Sequence, residues 1–218
     1  MILFAGDSFS HYHATGTWTD ILRINLQTGQ WNHSLGGSSL YFAYRKLQER
    51  KDDIKSKKFK YIILTCTSPQ RIPYCKDESA SHYVGNPAPE KRYFTESFNI
   101  DIWHFGYFER FYDRNFHNFL YKKILEDIID EFSPYCKLVL LPCFVESHVL
   151  VREVYNKKPN FLYLNFPLMM LYEEGYNEKN HFTPEVNDIL GNVLSNGILN
   201  QDAGPMEIRL NEIKDAIK

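Results

Sequence analysis

Two short polar motifs near opposite ends of the chain could together carry out nucleophilic chemistry. A Gly-Asp-Ser sequence at residues 6–8 directly follows the apolar run Ile2–Ala5, so that a tight glycine turn would expose Ser8 at the end of a strand. An Asn-His-Phe-Thr-Pro sequence at residues 180–184 opens a late helical pattern. A serine hydroxyl is a weak nucleophile unless a base such as neutral histidine takes its proton. The two motifs therefore indicate a serine nucleophile, Ser8, with His181 as its base.

Each motif also has a purely structural interpretation. A Gly-Asp-Ser sequence can merely cap a turn, and a histidine at a helix start can bond to a backbone group. The position of Ser8 after the first strand, and the presence of His181 as a distant partner, favour the chemical interpretation. Cys143 follows another predicted strand and is a weaker alternative nucleophile, because no partner pattern accompanies it. His11 and His13 form an H-x-H pair without further ligands, so we expect no metal and no cofactor.

The elements that must position these residues alternate between strands and helices. Apolar runs predict strands at Ile2–Ala5, 30–34, 60–66, Lys137–Pro142 and 160–165. Helical spacing of apolar residues predicts helices at 18–26, 40–47, 116–132, 184–194 and 205–217, the last beginning at Gly204-Pro205. Strands that alternate with helices imply a parallel sheet covered on both faces. The sequence therefore predicts an α/β protein, a three-layer α/β/α sandwich of about five parallel strands in one domain.

The segment from Thr67 to about Asn115 does not fit this pattern. Prolines interrupt it, and aromatic residues, 16% of the whole chain, cluster between Tyr83 and Tyr121. A segment of this length without regular structure is usually functional or a small insertion. Its aromatic side chains would suit stacking on sugar rings or on an acyl chain. A small aromatic core of its own, or an interface in a homo-oligomer, is the interpretation that we favour.

Polar residues and glycines follow the strands at one edge of the predicted sheet. Ser8 follows the first strand, Gly37 the second, the turn at residues 67–68 the third, and Cys143 the fourth. In open parallel sheets the ligand site lies beyond the carboxyl ends of the strands. These residues therefore fall on the edge where a site is expected.

The two motifs resemble the first and last blocks of the SGNH (GDSL-type) hydrolases, which use a serine near the start and a histidine near the end. The resemblance runs from Phe4 to about residue 194 and implies a flavodoxin-like fold. It implies that Ser8 attacks an ester carbonyl while His181 acts first as base and then as acid. The family has an aspartate three residues before the histidine, and this position holds Glu178. Asn177 or a backbone carbonyl is the alternative group to orient the ring.

The resemblance also implies an oxyanion hole, a set of N–H groups that hold the negative charge of the transition state. In the family two of its donors are the backbone N–H groups of the nucleophile and of a glycine after the second strand. Here these would be Ser8 and Gly37, with Gly36 as the alternative glycine.

The third donor of the family, an asparagine after the third strand, is where this sequence departs from the pattern. Residues 65–71 read Thr-Cys-Thr-Ser-Pro-Gln-Arg and contain no asparagine. Losing one such donor typically costs about 100- to 1000-fold in turnover. Either Thr67, Ser68 or Arg71 supplies a replacement, or the protein is slow or not an enzyme. Arg71 could instead bind an anionic group of the ligand or lie on the surface, and we expect Asp7 and His11 to line the substrate pocket.

Composition limits the partners of the chain. Its 218 residues carry a formal net charge of −2, which predicts no broad basic surface for nucleic acid. Apolar runs are too short to span a bilayer, and no basic segment precedes the first strand, so we expect a cytoplasmic protein that does not bind membranes. The four cysteines form no Cys-x-x-Cys pair, which is typical of buried thiols in a reducing compartment.

Three function classes follow from these features. The first is a hydrolase of O-acyl esters, with an acetyl group on a carbohydrate or another small alcohol as the expected substrate. The second is a non-catalytic protein of the same fold that holds a ligand near Arg71 and His11. The third is a structural or assembly protein that uses the aromatic segment as an interface. Reactivity of Ser8 separates the first class from the other two.

Overall fold

The computed structural model of the protein describes residues 1–11, 14–75, 81–84, 113–172 and 180–208. Within these ranges the strands are β1 (Ile2–Ala5), β2 (Gln30–Asn32), β3 (Tyr61–Cys66), β4 (Ile72–Cys75), β5 (Ser81–Val84), β6 (Lys137–Pro142), β7 (Leu162–Leu164) and β8 (Gly204–Met206). The helices are α1 (Ser8–His11), α2 (Trp18–Asn25), α3 (Leu40–Gln48), α4 (Lys51–Lys55), α5 (Arg114–Phe132), α6 (Val145–Tyr155) and α7 (Pro184–Asn200), with a 3-10 helix at Leu168–Leu171.

The main sheet is parallel and has the strand order β2-β1-β3-β6-β7-β8. Its first five strands follow the 2-1-3-4-5 order of flavodoxin-like sheets, so the predicted architecture is confirmed. β1 pairs on one side with β2 and on the other with β3, with Ile2 opposite both Gln30 and Tyr61. The strand order reverses at this point, and ligands of such sheets bind beyond the strand ends there. The chain segments that follow β1, β2 and β3 therefore meet where a site is expected.

Helices cover both faces of the sheet and create two separate apolar cores. Alternate residues of β1 point to opposite faces, with Ile2 and Phe4 in one core and Leu3 and Ala5 in the other. The first core includes side chains of α2 and α7, and the second includes side chains of α3, α4, α5 and α6. This arrangement is the predicted three-layer sandwich. The sequence pattern does not predict α6. α5 begins at Arg114, two residues before the predicted start, because the Asp113 carboxylate accepts hydrogen bonds from the N–H groups of its first turn.

The predicted helix at residues 205–217 is wrong at its start. Gly204–Met206 forms β8, a sixth parallel strand that pairs with β7. Met206 and Ile208 are buried, whereas Pro205 and Glu207, which alternate with them, are exposed. This alternation has the period of two that a half-buried strand requires, and it outweighs the helical spacing of the residues that follow. Residues 209–217 lie outside the described part of the chain.

The described residues of the aromatic-rich segment include a hairpin that the sequence pattern did not predict. β4 and β5 pair in an antiparallel hairpin, with Ile72 opposite Val84. Residues 76–80 and 85–112 lie outside the described ranges, so the interpretation of this segment as a core or an interface remains a prediction. None of the helices that the structure describes has both the length and the apolar character needed to cross a membrane.

Candidate active site

Ser8 begins the short helix α1 directly after a sharp turn at the end of β1. The turn depends on Gly6, whose φ of +139° is rarely adopted by residues with a side chain. A Cβ atom at Gly6 would lie 1.9 Å from Thr65 Oγ1 on the adjacent strand β3. The same Thr65 Oγ1 accepts a hydrogen bond of 3.0 Å from the Asp7 N–H. Close contact between β1 and β3 thus fixes the place at which Ser8 leaves the sheet.

Asp7 lies fully buried beneath this turn, and its carboxylate is surrounded by donors. Oδ2 accepts a hydrogen bond of 3.0 Å from Arg71 Nη1, and Oδ1 accepts one of 3.2 Å from the Phe9 N–H. Cys143 Sγ lies 3.5 Å from the same Oδ1. A buried carboxylate needs such partners to remain charged. This burial does not support the predicted contact between Asp7 and substrate, and it assigns the carboxylate a supporting position instead.

Arg71 joins three segments of the site. Besides its ion pair with Asp7, Nη1 lies 3.4 Å from the backbone carbonyl of Ser38, and the guanidinium stacks over the ring of Phe144 with Cζ 5.2 Å from the centroid. Its side chain is 14% exposed. Arg71 is therefore not the surface arginine of the alternative interpretation. Its position after β3 places a positive charge beside the segments that follow β1, β2 and β6.

The glycine loop after β2 packs against Ser8. The Gly6 carbonyl accepts hydrogen bonds from the Leu35 N–H at 2.9 Å and from Ser38 Oγ at 2.7 Å. Gly37 has a φ of +75°, the left-handed conformation that glycine adopts without strain. A Cβ atom at Gly36 would lie 3.8 Å from Ser8 Cβ. The loop that holds the predicted oxyanion glycines therefore lies next to Ser8.

The loop before α7 brings His181 to the neighbourhood of Ser8. Asn180 and His181 both have left-handed backbone, with φ of +58° and +69°. The imidazole packs on the rings of Phe9 and Tyr172, with centroids 5.0 Å and 5.4 Å away. Since Phe9 is the next residue after Ser8, the serine and the histidine lie at one end of the sheet. Strained backbone of this kind persists only where the surroundings hold it, and it is common at functional sites.

Asn187, which the motifs did not reveal, holds this loop in place. Its side chain is fully buried on the inner face of α7. Oδ1 accepts a hydrogen bond of 2.7 Å from the Trp18 N–H, and Nδ2 donates to the carbonyls of Phe182 and Thr183, each at 3.1 Å. Trp18 Nε1 in turn donates to the Phe9 carbonyl at 2.8 Å. Asn187 and Trp18 thus connect the histidine loop to α1. In the sequence, the one sign of this role is a polar asparagine at a position of α7 whose buried neighbours are mostly apolar.

The surroundings of His181 favour the neutral form of its imidazole. Burial lowers the pKa of His181 below its usual 6.5. The Asp7 carboxylate opposes this effect by favouring the charged ring, while the Arg71 guanidinium disfavours it. Among the residues that the structure describes, Asp7 is a carboxylate whose charge stabilises a protonated His181. A neutral histidine is the form that can accept a proton from a hydroxyl.

Thr67 and Ser68 follow β3 in the position of the family's third block. Thr67 is 1% exposed, and its Oγ1 has no hydrogen-bond partner among the described residues. Its carbonyl accepts a hydrogen bond of 2.7 Å from the Tyr121 hydroxyl, which anchors this turn to α5. Ser68 Oγ accepts a hydrogen bond of 3.2 Å from the Gln70 N–H. A buried hydroxyl without a partner is costly and calls for a functional explanation.

Several alternatives from the sequence can now be placed. His11 lies in α1 rather than in a strand, and its Nδ1 is 2.7 Å from the Ser34 carbonyl. No group of three metal-ligating side chains occurs among the described residues, and His13 lies outside them. Burial raises the pKa of the Cys143 thiol well above its usual value, which argues against Cys143 as a nucleophile. Glu178 lies outside the described residues, so its role stays a prediction.

Comparison with known proteins supports the fold. No family model matches the sequence, and no curated protein matches it. The solved structure of TesA matches with a TM-score of 0.52 and 11% identity, over 88% of this chain and 93% of that one. A carbohydrate esterase, whose active site is described as displaying divergent catalytic and non-catalytic binding functions, matches with a TM-score of 0.50 and 10% identity, over 92% of this chain and 64% of that one.

A third solved structure, from Desulfitobacterium hafniense DCB-2, is described as a lipolytic protein of the G-D-S-L family. It matches with a TM-score of 0.47 and 13% identity, over 89% of this chain and 97% of that one. Identities this low establish a shared architecture only. Together with the strand order, the matches to TesA and to the carbohydrate esterase show that this chain shares their flavodoxin-like α/β/α fold.

Proposed function

We propose that the protein is a serine hydrolase that cleaves O-acyl esters, with Ser8 as nucleophile and His181 as base. The observation that carries this proposal is the meeting of three loops at the carboxyl end of β1. Ser8 begins α1, a Cβ atom at Gly36 would lie 3.8 Å from Ser8 Cβ, and the ring of His181 packs on that of Phe9 with centroids 5.0 Å apart. A nucleophile, a glycine loop for the oxyanion and a neutral imidazole are the parts that acyl transfer needs.

The reaction would proceed through an acyl-enzyme. Ser8 Oγ forms a bond to the carbonyl carbon while its proton passes to His181. The ester C–O bond then breaks, and the protonated imidazole gives its proton to the departing alcohol. Water attacks the acyl-enzyme with His181 again as base, which releases a carboxylic acid and restores Ser8. Glu178 is the predicted residue that orients the imidazole, and the charge of Asp7 stabilises the imidazolium.

The negative charge on the substrate oxygen would be held by the backbone N–H groups of Ser8 and Gly37. For the third donor we favour the hydroxyl of Thr67, because its Oγ1 is buried at the end of β3 without a partner among the described residues. Arg71 is less suited, since its Nη1 is occupied by Asp7 and the Ser38 carbonyl. The carbohydrate esterase of the same fold supports an ester as the substrate, with a sugar as the expected alcohol.

Labelling with a fluorophosphonate tests the proposal. The purified protein should form a covalent adduct at Ser8, as Oγ displaces fluoride from phosphorus and His181 takes the proton. Fragment mass spectra must assign the adduct to Ser8 rather than to Ser10, a buried serine on the same peptide. Ser8→Ala should lose the adduct completely, and the wild type should release acid from acylated sugars. A folded wild-type protein that gives no adduct would exclude this function.

A non-catalytic binding protein is the second candidate function. It is favoured by the absence of the asparagine from residues 65–71, which removes one of the expected oxyanion donors. Such a protein would bind an acylated sugar, measured by calorimetry, but would leave both the ester and the fluorophosphonate intact. The labelling experiment therefore separates the two functions.

The rate of labelling should fall on the acid side with a midpoint below pH 6.5, the usual midpoint of a histidine. The reason is that burial lowers the pKa of His181 from 6.5, and only the neutral ring can accept the proton. Asp7→Asn should move the fall to still lower pH, because the carboxylate is the group that raises this pKa. Labelling rates across pH 4–8, taken with a check of folding by circular dichroism, measure both effects. A rate that already declines between pH 8 and pH 7 would contradict this assignment of the base.

A further inference from the structure

A groove with an apolar lining opens beside the candidate active site on the face of the sheet opposite to α7. It has a volume of 410 Å³, within the range of about 300–1,000 Å³ that is typical of small-molecule pockets. It lies between α3 and α5, and Arg71 lines it together with Pro69. The other residues that determine its character are Leu40, Tyr41, Tyr44, Leu120, Tyr121 and Ile124.

We propose that this groove binds the acyl group of the substrate and that this group carries an aromatic ring. The inference rests on the proposed function and names the substrate class of the same site. The acetyl group expected from the sequence would leave the groove empty.

The positions of the alcohol and acyl parts of the ester follow from which helices pack on each face of the sheet. His181 must give its proton to the departing alcohol, so the alcohol lies toward α7. α7 packs on one face of the sheet, and α3 and α5 pack on the other. Leu40 is the first residue of α3, directly after the glycine loop, and Arg71 contacts the Ser38 carbonyl of that loop. An acyl group held in the oxyanion hole would therefore leave it on the side where the groove begins.

Flat side chains in the groove favour a ring over an alkyl chain. Tyr41 and Tyr44 lie in tilted contact, with centroids 6.4 Å apart, and Tyr121 is held by its bond to the Thr67 carbonyl. Aromatic pairs prefer such tilted or offset arrangements, which a third ring can join. Tyr41 and Leu120 are 39% and 38% exposed, so the lining offers apolar area that a ligand can remove from water.

The charged side chains that line the groove are Arg71, Lys123 and Asp127. His117 also lines the groove, and burial lowers the pKa of this histidine, which favours the uncharged form of its ring. Lys123 is paired with Glu126 at 2.6 Å, and Arg71 is paired with Asp7 at 3.0 Å. Both cations of the lining are thus paired, and most of the other lining side chains are apolar or aromatic, so the groove suits an uncharged aromatic ring.

Two phosphonofluoridates with the same leaving group, one carrying an ethyl group on phosphorus and one a benzyl group, test this inference. Burial of the ring should make labelling of Ser8 by the benzyl probe about 30-fold faster than by the ethyl probe. Ile124→Trp, which fills the groove, should bring the ratio of the two rates to about 1. Leu120→Trp, on the more exposed wall, should lower the ratio as well. This second variant keeps the test decisive if Ile124→Trp does not fold. Phe119→Trp is the matched control, since Phe119 is 52% exposed on the same helix outside the groove, and it should keep the full ratio.

Equal rates for the two probes in the wild type would overturn the inference, and so would a benzyl preference that survives in both groove variants. Failure of both probes to label Ser8 would refute the proposed function instead. In that case methyl phenylacetate binding to Ser8→Ala, measured by calorimetry, still tests the groove. Saturable binding that Ile124→Trp weakens at least tenfold would support the groove as an aromatic site, and no binding would refute it.

Discussion

Replacement of His181 by alanine should slow the labelling of Ser8 by a fluorophosphonate about 1000-fold. General-base catalysis contributes typically 10²- to 10⁴-fold, and a serine hydroxyl without a base remains protonated at neutral pH. Stopped-flow or gel-based labelling at pH 7.5 gives the rate constants. The loss should appear at saturating and at low probe concentration alike, because the ring acts on the reacting proton rather than on binding.

His148→Ala is the matched control for this experiment. His148 is also partly buried, but it lies in α6, where its Nε2 pairs at 3.2 Å with Oδ1 of Asn165, the residue after β7. Its removal should change the labelling rate by less than about 3-fold, within the variation of substitutions away from a site. If His181→Ala labels as fast as the wild type, another residue is the base and the proposed mechanism is wrong.

Substitution of Gly6 by alanine should destabilise the protein by roughly 3 kcal/mol or more. The new Cβ would lie 1.9 Å from Thr65 Oγ1 and 2.6 Å from the Thr65 carbonyl oxygen, both on a central strand. A backbone atom in β3 cannot move without loss of sheet pairing, and φ of +139° is itself strained for alanine. Urea unfolding followed by circular dichroism measures the change in the free energy of unfolding.

Gly16→Ala separates strain from collision. Gly16 has a φ of +82°, but a Cβ there would meet no atom within 4 Å. Its substitution should therefore cost only the strain of a left-handed alanine, about 1 kcal/mol. If both variants lose the same small amount, the contact between β1 and β3 is not what requires glycine. A larger loss for Gly6→Ala would confirm that the turn before Ser8 is fixed by Thr65.

The sheet could be predicted from sequence because its strands are continuous apolar runs. Tyr61–Cys66 and Lys137–Pro142 are buried on both faces, and burial of this kind leaves a clear pattern. β8 could not be predicted, since three residues with a proline carry little signal, and their pairing with β7 depends on the rest of the fold. α6 could not be predicted for a related reason. Only two residues separate its apolar residues from the end of β6, so the period of two of a strand and the helical period of about 3.6 residues cannot be separated there.

The candidate site could be predicted only where motifs mark it. The positions of Ser8, the glycine loop and His181 at one edge follow from the order of strands and helices. The burial of Asp7 and its pairing with Arg71 could not be derived, because the ion pair joins residues that the sequence separates by 64 positions. Asn187 likewise looks like an ordinary helix residue until the fold places Trp18 beside it.

The bond from the Trp18 N–H to Asn187 spans 169 positions, and this separation has a consequence during translation. Ribosomes add about 5–20 residues per second, so the serine leaves the tunnel roughly 10–30 s before the histidine loop has been made. A nascent chain therefore carries a serine without its base for most of its synthesis. If the proposed chemistry is correct, hydrolase activity is a property of finished chains alone, and a ribosome stalled before α7 releases an inert product with Trp18 uncovered.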